Sequence, residues 1–181
     1  MGQAKTAALI TLAVSIVAGP AIAAEPLRLV WADSTGAIAE KESGRVRAEV
    51  VRILDVIGLQ AEWVADPTTP EESAAVRYVV VSPKPSTSEG EMGWCLGGNV
   101  TWISAPAIKR LLGVGRLENG MPVELAYHVA LARAISHELL HSLLPGRPHG
   151  RGGLMAAQQG PDDLTGPVSL DRDWKNALSA L

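Results

Sequence analysis

Residues 123–144 read VELAYHVALARAISHELLHSLL, a run with neither Gly nor Pro, followed at once by Pro145-Gly146. The run predicts one long helix. Pro122 sits where the first helical turn tolerates proline. Pro145 ends the helix because the residue before a proline resists the α conformation, and Gly146 accepts the turn beyond it. Ala126, Ala130, Ala134, His137 and His141 recur at steps of three or four, so they share one face, and their small side chains let another chain approach closely.

Near the end of this helix, His137-Glu138-Leu139-Leu140-His141 forms an HExxH pattern. Four residues make about one turn, so both imidazoles leave the same face and can bind one Zn²⁺. Glu138, displaced by about 100 degrees, reaches the metal-bound water as a base. Two histidines do not complete a catalytic zinc site, which needs three protein ligands and an open position. No Glu follows Glu138, which excludes a later glutamate as third ligand. His149, eight residues past His141 and beyond the Pro-Gly break, is the leading candidate, and Asp162 and Asp163 are weaker ones because loop carboxylates are usually just solvated. His128 stands about half a turn out of phase with His137, so it is read as structural or exposed.

Upstream, the pattern is that of a β-α-β unit. Leu27–Ala32 reads as a strand, Ala39–Ile57 as a helix with Val46, Val50, Ile53, Leu54 and Ile57 on one stripe, and Leu59–Ala65 as an alternating strand. Val76–Ser82 is nearly continuous in β-formers, as for a strand covered on both faces. Residues 83–98 are rich in Pro, Ser, Glu and Gly and read as a surface loop, and Asn99–Ser104 as a short strand at the sheet edge. A helical turn at Ile108–Leu112 precedes a loop at 113–120. Ser169 is positioned to cap a last helix striped by Leu170, Trp174, Ala177, Leu178 and Leu181. These elements predict a single small α/β domain: a twisted mixed sheet of about four strands on two long helices, with a short C-terminal subdomain. The upper part spans 24–144 and the lower part 145–181.

Residues 7–18 form an apolar run too short to span a bilayer, preceded by Lys5 and followed by Ala21-Ile22-Ala23. Residues 1–23 are therefore expected to be a cleavable signal peptide and the protein secreted or periplasmic, with no stable membrane anchor. Removing them makes the formal charge one unit more negative than −3, and no basic block remains for nucleic acid. Cys95 is the only cysteine, so no disulfide staples the chain internally, and a bound metal could contribute instead. Beside Trp94, Cys95 could also ligate zinc and hold the site latent. A buried or intermolecularly paired thiol is the plainer reading.

The run from His137 to His149 with Gly153-Leu154-Met155 resembles the metzincin zinc-binding consensus and its Met-turn, the glycine and third histidine each coming two residues late. That spacing is similar to small secreted bacterial metzincin-like proteins, whose segment reads HExxHxxLG, a short loop, His, then Gly-Ile/Leu-Met. The cysteine-rich second zinc site of archaemetzincins is missing, as is the tyrosine ligand of astacins and serralysins, where Ala156 and Ala157 stand. For Met155 an ordinary core position is the alternative. The resemblance implies a zinc-dependent endopeptidase with ligands His137, His141 and His149, Glu138 as general base, and a peptide or protein substrate extended along the edge strand, here Val100–Ser104. An exported zinc-binding module without catalysis, and an aspartate-completed zinc peptidase, are the alternatives.

Overall fold

The computed structural model describes residues 25–32, 36–85, 91–95, 98–113, 120 and 122–181. The expected signal peptide lies outside them. Five strands form one sheet in the order β2-β1-β3-β5-β4: β1 (Leu27–Trp31), β2 (Ala61–Trp63), β3 (Arg77–Ser82), β4 (Gly93–Cys95) and β5 (Val100–Ser104). The first four in that order run parallel, and β4 pairs antiparallel with β5.

The sheet and the helices bury one face together. Val79 and Val81 of β3 sit in register with Thr101 and Ile103 of β5, and all four are at most 1% exposed. Period-two alternation places them on one face. The first long helix, α1 (Glu40–Val56), buries Val46, Val50, Ile53 and Leu54, and its Arg47 carbonyl accepts a hydrogen bond from Trp63 Nε1 at 2.9 Å. The second, α4 (Val123–Leu143), packs against α1, β4 and β5 and buries most of its circumference, not one stripe alone. On the opposite face Trp94 of β4 stacks on Trp102 of β5, with ring planes 2° apart.

Three expectations need correction. The sheet has five strands rather than about four, because Gly93–Cys95, inside the stretch read as loop, pairs with Thr101–Ile103. Consequently Val100–Ser104 is internal and β4 is the edge strand. A three-residue strand containing glycine is too short for alternation to register, and its pairing is decided by a partner across the sheet. Asp171, not Ser169, caps the last helix, α6 (Arg172–Leu178), accepting from the Trp174 N–H at 2.9 Å. Of its expected stripe, Leu170, Trp174 and Leu178 are buried, whereas Leu181 is exposed.

Two short helices also exceed the reading. α2 (Pro70–Ala74) stands between β2 and β3, where Thr69 Oγ1 accepts from the Glu72 N–H and caps it. α3 (Ala105–Leu112) extends the expected turn to eight residues, its first turn capped by Ser104 Oγ, which accepts from the Ala107 N–H. Beyond α4, Gly146 at φ +76° turns the chain back. A 3-10 turn (Gly153–Met155), α5 (Pro161–Thr165) and α6 then complete the lower part. Arg133 of α4, 1% exposed, fastens that part to the helix by donating to the Asp163 carbonyl at 2.9 Å and to the Gly166 carbonyl. Among the described residues no helix is long and apolar enough to cross a membrane.

Candidate metal centre

The last two turns of α4 and the loop that returns beneath them converge on one point. His137, His141 and His149 each offer a ring nitrogen, and the three atoms lie within 4.8 Å of one another, close enough to hold a metal ion. Ring centroids are 4.7 to 5.2 Å apart. The helix supplies the first two imidazoles by its pitch, and the chain reversal supplies the third. Hydrogen bonding fixes that reversal: the Gly150 N–H donates to the Met155 carbonyl at 2.7 Å, and the Arg151 N–H to Asp171 Oδ2 at 3.2 Å.

Each helical imidazole is held by a neighbour. His137 Nδ1–H donates to the Leu154 carbonyl at 2.8 Å, which leaves its Nε2 lone pair for a ligand. The Gln159 side-chain amide donates to the same carbonyl at 2.7 Å. Trp174, 1% exposed, sets its ring edge-on to His141 at 5.6 Å and carries the Arg147 guanidinium 5.3 Å from its centroid. His141 Nε2 is buried and has no hydrogen-bond partner among the described residues. An orphaned buried nitrogen is costly. A metal ion between the rings would satisfy it, so the donor set fits a cation.

Electrostatics favour the unprotonated ligands. Burial, then the neighbouring rings of His137 and His149, holds His141 down to about 4. Burial also lowers His137, against the opposing pull of the Leu154 carbonyl and with the help of His149. Glu138 is pushed up to about 7, chiefly by burial and then by the nearby negative charge of Glu91. A carboxyl group there titrates where proton transfer at neutral pH needs it.

Glu138 and the three histidines open onto a cleft of about 880 Å³ between α3, α4, the β4 edge and residues 156–159. The edge strand meets the helix at Gly93: a Cβ there would lie 2.9 Å from Glu138 Cγ, 2.8 Å from the Trp102 carbonyl oxygen and 2.7 Å from Ile103 Cδ1. Only glycine permits this approach. Cys95 lines the cleft but lies outside the histidine group, its thiol raised by burial and by Glu138.

Asp162 and Asp163 are on α5 and are not part of the group; Asp163 Oδ2 accepts from the Gly160 N–H at 3.0 Å. His128 is buried away from the group, with Nε2 3.7 Å from Glu42 Oε1 of α1. Met155, the last residue of the 3-10 turn, is fully buried in the core. Sequence reasoning missed Gly93, Gln159, Trp174 and the Leu154 carbonyl. A backbone oxygen leaves no trace in side-chain pattern, and only the stripe position of Trp174 offered a signal.

No protein-family model and no curated protein matches the chain. Solved structures similar to it include the following two. Archaemetzincin from Methanopyrus kandleri superposes with a TM-score of 0.53 at 15% identity, over 86% of this chain and 93% of its own. A zinc-dependent peptidase from Methanocorpusculum labreanum does so with a TM-score of 0.56 at 15% identity, over 84% and 99%. At such identity the likeness is one of fold, and the chain has the α/β fold of these small domains. With Cys95 as its sole cysteine, it cannot build a cysteine-rich second site.

Proposed function

We propose that the protein is a zinc-dependent endopeptidase of metzincin type, with His137, His141 and His149 as ligands, Glu138 as general base and Gly153-Leu154-Met155 as its Met-turn. One observation carries the reading: three ring nitrogens converge beside a half-buried carboxyl group in a cleft walled by the edge strand of the sheet. Both similar structures point the same way, one being a zinc-dependent peptidase by description.

A bound zinc ion supplies Lewis acidity, drawing the pKa of water toward 7 and polarising a carbonyl oxygen. The chain's own groups do the rest. Glu138, poised near neutrality, takes a proton from the attacking water and returns it to the leaving amine. The free edge of β4 pairs with an extended substrate backbone, giving affinity without sequence demands. Leu154, through its carbonyl, keeps His137 in the tautomer that presents Nε2.

Export to the periplasm or medium belongs to the same proposal and rests on the composition of residues 1–23, as does a working domain of 24–181. The test is zinc stoichiometry of the purified protein together with hydrolysis of a broad peptide library, repeated for Glu138→Gln. One zinc per chain with cleavage lost in Glu138→Gln supports the proposal. One zinc per chain with no cleavage of any peptide by the wild type refutes it in favour of a non-catalytic peptide-binding module.

A further inference from the structure

We infer that Arg110 is a specificity residue of the cleft and that it reads a carboxylate on the peptide; this rests on the peptidase reading. One face of α3 forms part of the cleft wall, where Ala107, Arg110 and Leu111 stand at i, i+3 and i+4. The other face of the same helix buries Ala105, Ile108 and Leu112. Helical pitch thus forces Arg110 toward the cleft whenever the core is packed.

Charge sets Arg110 apart there. Among the described residues it is the one Lys or Arg lining the cleft, whose other formal charges there are Glu91 and Glu138. Among the described residues it takes part in none of the ion pairs, which join Arg47 to Glu40, Arg52 to Glu49 and His128 to Glu42. Ala107, Leu111 and Ala134, which line the cleft with it, are small or apolar. A guanidinium presents a planar fork of donors that matches a carboxylate in bidentate fashion. The complement of a small apolar wall with one cation is a peptide group with a short apolar stem and a terminal carboxylate. Two sources share that chemistry: an Asp or Glu side chain, and the free C-terminus of a short peptide.

The experiment uses zinc-loaded protein and quenched fluorescent peptides in matched sets. One set compares Glu with Gln and Asp with Asn at each position, and the other compares a free C-terminus with its amide. Wild type should favour one carboxylate form by about tenfold or more in kcat/KM, the scale expected of a charge-assisted hydrogen bond. Arg110→Gln should erase the preference, Arg110→Lys retain part of it, and Arg110→Glu invert it. The set that responds identifies the source. Binding of the same peptides to Glu138→Gln, with and without Arg110→Gln, gives a second readout by fluorescence polarisation. Cleavage with no preference, or a preference that survives Arg110→Gln, overturns the assignment and leaves the peptidase reading standing. Carboxylate binding that depends on Arg110 in a protein that cleaves nothing upholds the assignment and overturns the peptidase reading.

Discussion

Replacing Arg133 with Leu tests how the lower part of the molecule holds the third histidine in place. Arg133 is 1% exposed and donates to the carbonyls of Asp163 and Gly166. A hydrogen bond from a charged donor contributes about 1.5–3 kcal/mol, so two contribute about 3–6 kcal/mol. Releasing a buried guanidinium from its desolvation cost, which already lowers its pKa, offsets part of this and leaves a net loss of about 3 kcal/mol, the low end of that range. The site should suffer too. His149 comes from the lower part, whereas Arg133 lies one turn before His137 on α4. Loosening that part should therefore weaken zinc binding by about tenfold or more, as loss of a supporting shell does. Urea unfolding of the metal-free protein and chelator competition for zinc measure the two effects. Arg52→Leu, which breaks the exposed pair with Glu49, is the control and should cost less than about 1 kcal/mol. A loss for Arg133→Leu no larger than that control, with unchanged zinc affinity, would refute the reasoning.

Glu138→Gln should lower kcat by about 10²- to 10⁴-fold while zinc stoichiometry stays at one, measured by hydrolysis and metal analysis in parallel. His149→Ala should strip zinc in chelator competition, whereas Asp162→Asn and Asp163→Asn should not; the reverse pattern would transfer the third ligand to α5. His141 and His137 have folded pKa values below their ordinary one, so the unfolded chain binds more protons once the pH drops below about 6.5. Glu138, raised to about 7, opposes this trend by binding its proton in the fold first, so the fall in metal-free stability from pH 6.5 toward 4 should emerge in Glu138→Gln, read from urea midpoints, and flatten when His141→Leu is added. Bound zinc should be lost below about pH 5. Gly93→Ala, whose new Cβ would press on Glu138 Cγ and the Trp102 carbonyl oxygen, should reduce kcat and disturb the β4 edge; full activity would show that the strand is free to shift.

The legible parts of this molecule were those that local pattern dictates. α1 and α4 follow from apolar spacing and from the prolines and glycines that bound them, and HExxH follows from helical pitch, since both imidazoles ride on one continuous element. β4 was hidden because three residues carry no period and their partner is β5. That omission also misplaced the free edge. The cap of α6 was misread between Ser169 and Asp171, two good capping residues separated by two positions, and the choice fell to whichever could reach the Trp174 N–H. Arg133 looks like any other helical arginine in sequence. Its burial depends on the lower part folding back on α4, a tertiary event that nothing local announces.

The three imidazoles come from both sides of the turn at Gly146, two from a helix and one from the segment that returns beneath it. During synthesis the ribosome therefore releases two of the three ligands before the third. Until residue 149 has emerged and Leu154 has offered its carbonyl, the nascent chain holds only an incomplete pair of donors. Tight capture of the ion should thus wait until residues 149–154 have followed the helix, so any partner that loads or withholds metal would act on a polypeptide that already carries all three donors.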